Sequence, residues 1–176
     1  MRVRVILFLV LALASMSCES CQRDTQKRGL TQKEMDDKLL ELNRQFVQED
    51  KAMIAAYIQE KEWPTSSTGT GLQYWIYEEG KDTTKAKEGM TARIRFAMQL
   101  LDGTEVYQTP EGEVQDFVIA HADVETGIHE IVLLMTPGDR AKAILPPHLA
   151  YGLTGDMAKI PLQSALVYDI QLLALK

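Results

Sequence analysis

A chain of 176 residues, 45% hydrophobic and 25% charged, has the make-up of a globular protein with room for one ordinary domain and an appendage. Its formal net charge of −6 excludes the basic stripe that a nucleic-acid-binding surface needs.

Residues 1–17 carry Arg2 and Arg4, an apolar run from Val5 to Ala14, and then small residues. This is the pattern of a secretory signal peptide, too short to span a membrane. Cys18 follows it where bacterial lipoproteins receive their lipid, although Ser15 stands where such sequences usually carry leucine. The reading is therefore lipidation at Cys18, with simple cleavage as the alternative, and an exported, periplasm-facing protein of the cell envelope. Loss of Arg2 and Arg4 leaves the chain more negative still, so membrane attachment must come from acyl chains, at about 0.8 kcal/mol per buried CH₂. Cys18 and Cys21 have the C-x-x-C spacing of redox pairs, but they head a polar tail rather than a strand-to-helix junction. Lipidation is the stronger reading and a disulfide the weaker.

Residues 18–30 read as a polar tether. Thr31 and Glu34 then form a capping-box pattern ahead of an amphipathic helix over 31–64. Its apolar stripe is Met35, Leu39, Leu42 and Phe46, resumed at Met53 and Tyr57, and Trp63-Pro64 closes it. The stripe fits packing against the following domain. Homodimerisation through a coiled coil is the second possibility, set back by a heptad that breaks after two repeats.

Thr65 to Gly71, TSSTGTG, reads as a flexible linker, and a domain over 72–176 follows. There the period changes from helical to alternating. LQYWIY, TARIRFAMQLLDG, TEVYQT, DFVIA, RAKAIL and ALVYDIQLLAL are strand patterns, with Asp102-Gly103 as a hairpin turn. DVETGIHEIVLLMTPG has helical spacing. The order predicts an α+β fold: an antiparallel half-barrel of five to six strands wrapped around one short helix, preceded by the long N-terminal helix.

The usual catalytic patterns are missing. His121, His129 and His148 have no partner at metal-ligand spacing, and no phosphate loop, dinucleotide fingerprint or nucleophile elbow occurs. What remains is a set of apolar and aromatic residues on the sheet and in loops: Phe96, Phe117, Val124, Tyr151, Ile160 and Tyr168. Tyr151 and Ile160 stand out because they flank a loop rather than lie inside an element.

From about Lys87 to Lys176 the chain resembles the FKBP-type peptidyl-prolyl isomerases. LLDGTEVY, VETGIHEIVLLMTPGDRAKAILPPHLAYG and KIPLQSALVYDIQLL carry the likeness in order. The leader with its helical appendage further resembles the lipoprotein branch associated with gliding motility. The resemblance implies a cleft for a proline of a polypeptide substrate, with no cofactor. Tyr151 would donate to a substrate carbonyl, Ile160 would close the rim, and Phe96, Phe117 and Tyr168 would be pocket aromatics. Val124 and Glu125 would precede the helix, Glu125 offering its backbone N–H, with its side chain of lesser account. Three positions depart from the family pattern. Tyr107 replaces an aspartate, Val106 a phenylalanine, and Ile128 the tryptophan of the floor. They imply an isomerase of reduced activity, with an inactive chaperone or assembly module as the alternative.

Overall fold

A computed structural model describes residues 30–176. The expected signal peptide, Cys18 and nearly all of the tether fall outside the described residues. The chain divides after Glu41 into two units.

In the first unit, helix α1 (Gln32–Lys61) begins with the capping box read from the sequence. The Thr31 N–H donates to Glu34 Oε2 at 2.8 Å, and the Glu34 N–H donates to Thr31 Oγ1 at 3.3 Å. Here the expected apolar stripe is open to solvent: Met35 is 44% and Leu39 54% exposed.

In the second unit α1 continues, and its buried residues are Asp50, Ile54 and Tyr57, one face at intervals of four and three. Leu42 and Met53, expected on the packing stripe, are exposed. The sequence has apolar residues on more than one side of this helix, and the docked side is the one whose first residue is an aspartate. The helix stops because Glu62 turns left-handed, φ 54°, and the Trp63 N–H reaches back to the Ile58 carbonyl at 3.2 Å.

Seven strands follow: β1 (Ser66–Ser67), β2 (Gln73–Glu78), β3 (Thr91–Leu100), β4 (Glu105–Gln108), β5 (Gln115–Val118), β6 (Arg140–Leu145) and β7 (Leu166–Leu175). One antiparallel sheet joins them in the order β1-β2-β6-β7-β3-β4. The outer edge of β3 is shared, β5 pairing with Thr91–Ile94 and β4 with Ala97–Gln99. A bulge between Arg93 and Ile94, opposite β7, bends β3 and lets the sheet curve. The strand beyond the expected six is β1, in the stretch read as a linker. That stretch is held by Ser66–Tyr74 and Ser67–Gln73 pairing, by Thr70 Oγ1 on Glu130 at 2.8 Å, and by His148 Nε2 on the Thr70 carbonyl at 2.9 Å.

Helix α2 (Thr126–Leu134) lies in the concavity, burying Ile128, Ile131 and Val132 against Ile94, Met98, Leu145 and Ile170. Alternation along β3 supplies its share of this core: Ala92, Ile94 and Met98 are buried. Gly127 lets helix and sheet approach, since a Cβ there would lie 2.5 Å from Leu145 Cγ. Asp139 ties the turn after α2, accepting the N–H groups of Gly80 at 2.6 Å and Thr136 at 2.7 Å.

The opposite face of the sheet carries a second, smaller core in which Ile54 and Tyr57 of α1 meet Ile144, Ala165 and Val167. Beside it Trp63, Trp75 and Tyr77 stack in sequence, with ring centres 6.4 and 5.7 Å apart. Lys142 Nζ reaches Asp169 Oδ2 at 2.6 Å, and the Tyr77 hydroxyl donates to the same carboxylate at 2.7 Å. Burial first, then Asp169, pushes the Tyr77 hydroxyl up to about 12. A hollow of about 620 Å³ lies on this side, between α1 and the Ser67–Gly71 turn. It contains Asp50, 7% exposed, with burial raising its pKa, but also Lys51 and His148.

Candidate functional site

A cavity of about 480 Å³ opens on the concave side, between the sheet and the N-terminal end of α2. Each wall comes from a different element. Strand β3 sends in Ile94, Phe96 and Met98, every second residue and hence one face. Tyr107 of β4, Gln115 and Phe117 of β5 and Tyr168 of β7 add side walls. Ile128 of α2 lies beneath, with Val124 and Glu125 on the approach to the helix and Ala150 and Tyr151 from the loop after the 3₁₀ turn Pro147–Leu149.

Of the expected residues the structure brings together Phe96, Tyr107, Phe117, Val124, Glu125, Ile128, Tyr151 and Tyr168. The Phe96 and Tyr168 ring centres are 5.7 Å apart. Two others are not in the lining. Val106, 4% exposed, points from β4 into the core because neighbours along a strand face opposite ways. Ile160, 3% exposed, turns inward because its N–H donates to Asp156 Oδ1 at 2.7 Å, which curls the loop and buries the side chain. Neither forms the rim.

Glu125 corrects the expectation that its side chain counts for little. It occupies the N-cap position of α2, yet its carboxylate makes no capping bond. Instead Oε1 accepts the Tyr168 hydroxyl at 3.0 Å. Tyr168 is 1% exposed, and burial first, then the Glu125 charge, pushes its pKa above the tyrosine range. Tyr151 is shifted the same way, by burial first and then by the Glu125 carboxylate. Both hydroxyls therefore keep their protons at neutral pH, and that of Tyr168 donates to Glu125.

The second feature is a link across the mouth. Tyr107 donates to Asp156 Oδ2 at 2.5 Å, while Asp156 Oδ1 also accepts the N–H of Ala158 at 2.8 Å. The Tyr107 bond, ahead of the backbone bonds, lowers the Asp156 carboxyl to about 2. Lys159 Nζ sits 4.9 Å from the centre of the Tyr107 ring and donates to the Val106 carbonyl at 3.0 Å. The tyrosine that departs from the family pattern thus fastens the loop bearing Tyr151.

Behind the wall, His129 packs edge-on against Phe117, ring centres 5.4 Å apart. Its Nδ1 accepts the Ala120 N–H at 3.0 Å, so the proton is on Nε2, which faces the Ala122 carbonyl at 3.1 Å. This histidine braces the loop leading to Glu125. Asp156, Asp123 and Gln115 were not foreseen; Ile94 and Met98 were legible as members of the same strand face as Phe96.

A hollow walled by aliphatic and aromatic side chains beside two carboxylates, with no nucleophile–base pair in its lining, suits a reaction in which no covalent bond breaks. The sequence matches the FKBP-type peptidyl-prolyl cis-trans isomerase family over residues 82–173. The chain belongs to that family. It is similar to the FKBP-type 22 kDa peptidyl-prolyl cis-trans isomerase of Escherichia coli, with 30% identity over 145 residues, covering 80% of this chain and 68% of the relative. It is also similar to peptidyl-prolyl cis-trans isomerase FKBP1A of Xenopus laevis, 31% identical over 60% of this chain and 99% of the relative. FK506-binding protein 2 of Dictyostelium discoideum is 33% identical over 56% and 75%. The chain is accordingly a peptidyl-prolyl cis-trans isomerase, acting on proline-containing peptides, and its fold is the predicted α+β one.

Proposed function

We propose that this FKBP-type isomerase acts on exported proteins at the bacterial cell envelope, held there by a lipid on Cys18. The signal-peptide pattern ending at Cys18 supports the location, and the likeness of leader and helical appendage to gliding-motility lipoproteins supports the anchor. Exposed Met35, Leu39 and Leu42 support pairing of two copies through α1, to be read from the mass of the mature chain in sedimentation.

The cavity carries the catalytic reading. An X–Pro bond resists rotation by about 18–20 kcal/mol because of amide resonance, and uncatalysed exchange takes tens to hundreds of seconds. Twisting the bond breaks that resonance and makes the carbonyl less polar, so removal from water favours the twisted form. A hollow shaped to that form binds it better than either planar isomer, and about 1.4 kcal/mol of preference gives tenfold acceleration. In this reading Ile128 supports the proline ring, Phe96, Phe117 and Tyr168 enclose it, and the Tyr151 hydroxyl and Glu125 N–H meet substrate carbonyls.

The test is cis/trans exchange of a proline peptide by NMR, with and without the mature protein. Acceleration is expected, and Tyr151→Phe should lower kcat/KM about 3- to 10-fold, the worth of one hydrogen bond. No acceleration at high protein concentration would refute catalysis. The departures from the family pattern at Tyr107 and Ile128 favour a weak or inactive module as the second reading. Peptide binding without acceleration would establish that second reading.

A further inference from the structure

The cavity wall includes two carboxylates, Asp123 and Glu125, and no lysine, arginine or histidine. Asp123 is exposed and Glu125 half-buried. The ammonium of Lys159 is engaged at the mouth by the Tyr107 ring and the Val106 carbonyl. Asp156 has its oxygens occupied by Tyr107 and by loop N–H groups. Glu125 is different. It sits beside apolar walls, takes the Tyr168 hydroxyl on Oε1, and retains acceptor capacity, since a carboxylate offers about four lone-pair sites.

We propose that Glu125, backed by Asp123, makes this isomerase select prolines flanked by lysine or arginine. The inference rests on the isomerase reading of the same cavity. A half-buried carboxylate in a low-dielectric wall attracts an incoming ammonium or guanidinium more strongly than a fully hydrated one does. It repels an acidic neighbour of the proline, and a leucine there would desolvate it without compensation.

The experiment uses the mature protein and three short peptides, Ala-Lys-Pro-Ala, Ala-Leu-Pro-Ala and Ala-Glu-Pro-Ala. Exchange rates are measured by NMR at low and high salt, and binding is followed through the Glu125 and Ile128 amide shifts. The expected order is Lys over Leu over Glu, with Lys exceeding Leu about 3- to 10-fold in kcat/KM at low salt, as for a partly shielded ion pair. High salt should compress the order. Glu125→Gln should bring the Lys-to-Leu ratio toward one, and Glu125→Lys should favour the Glu peptide over the Lys peptide. Equal rates and equal affinities for the three peptides in the wild type would overturn the proposal, as would a Lys preference surviving in Glu125→Gln. The salt comparison needs no variant, so a misfolded variant does not spare it. Absence of acceleration for every peptide counts against catalysis instead, and the amide shifts then still decide the preference.

Discussion

Asp156 concentrates the local chemistry of the mouth. With its carboxyl lowered to about 2, it binds a proton less readily in the folded chain than in the unfolded one, where a carboxyl of its kind titrates at about 3.9. Its contribution to stability is therefore fully present above about pH 4 and is lost as the pH falls through about 2. Tyr107→Phe removes the largest cause of the shift, so the Asp156 midpoint should rise in a carboxyl-carbon NMR titration; an unmoved midpoint would show that the bond is not made in solution. Asp139 is a buried case with greater stakes. Its carboxylate takes two backbone N–H groups and the Thr136 hydroxyl, and Asp139→Ala leaves those donors without an acceptor. The expected loss is about 1–3 kcal/mol, read as a lower urea midpoint at unchanged slope.

At the level of elements, the junction between α2 and β6 has no slack. A methyl at Gly127 would collide with Leu145 Cγ at 2.5 Å and Cδ2 at 2.6 Å, so Gly127→Ala should cost about 1–3 kcal/mol and tilt the Ile128 floor. Both stability and peptide affinity should fall; if affinity were untouched, the floor would not depend on this contact. Helix α1 is held to the sheet by few residues, and Ile54→Ala should weaken that hold. Hydrogen exchange along Leu42–Lys61 should quicken while α2 amides stay protected. The sequence made the strands legible because alternation in β3 and β7 survives whatever else they touch. It made the N-terminal cap legible because Thr31 and Glu34 are three residues apart. It could not reveal β1, two exposed serines that carry no alternation of their own and pair with Tyr74 and Gln73 of β2. Nor could periodicity choose among the apolar sides of α1, because the docked side includes Asp50. The Tyr107–Asp156 link joins positions 49 apart, and the direction of the Glu125 side chain is a tertiary fact. Neither leaves a local trace.

Taken as a whole molecule, the described part of the isomerase is a sheet with different work on its two faces. The concave face holds α2 and the cavity, while the other seats the second half of α1 with its own small core. This division explains why β6 and β7 are apolar on both faces at Ala143–Leu145 and Leu166–Tyr168: neighbours such as Ala143 and Ile144 serve opposite cores. It also means that loss of the helix contact and loss of the pocket can be produced separately.

The two tryptophans, Trp63 and Trp75, both belong to the α1 side, and isoleucine holds the place of the indole that floors better-known FKBP pockets. Intrinsic emission is thus a gauge of whether the helix is seated and is blind to what occupies the cleft. Saturation with a proline peptide should leave the spectrum where it was, whereas Ile54→Ala should shift it to the red; quenching by the peptide would place an indole where none has been assigned.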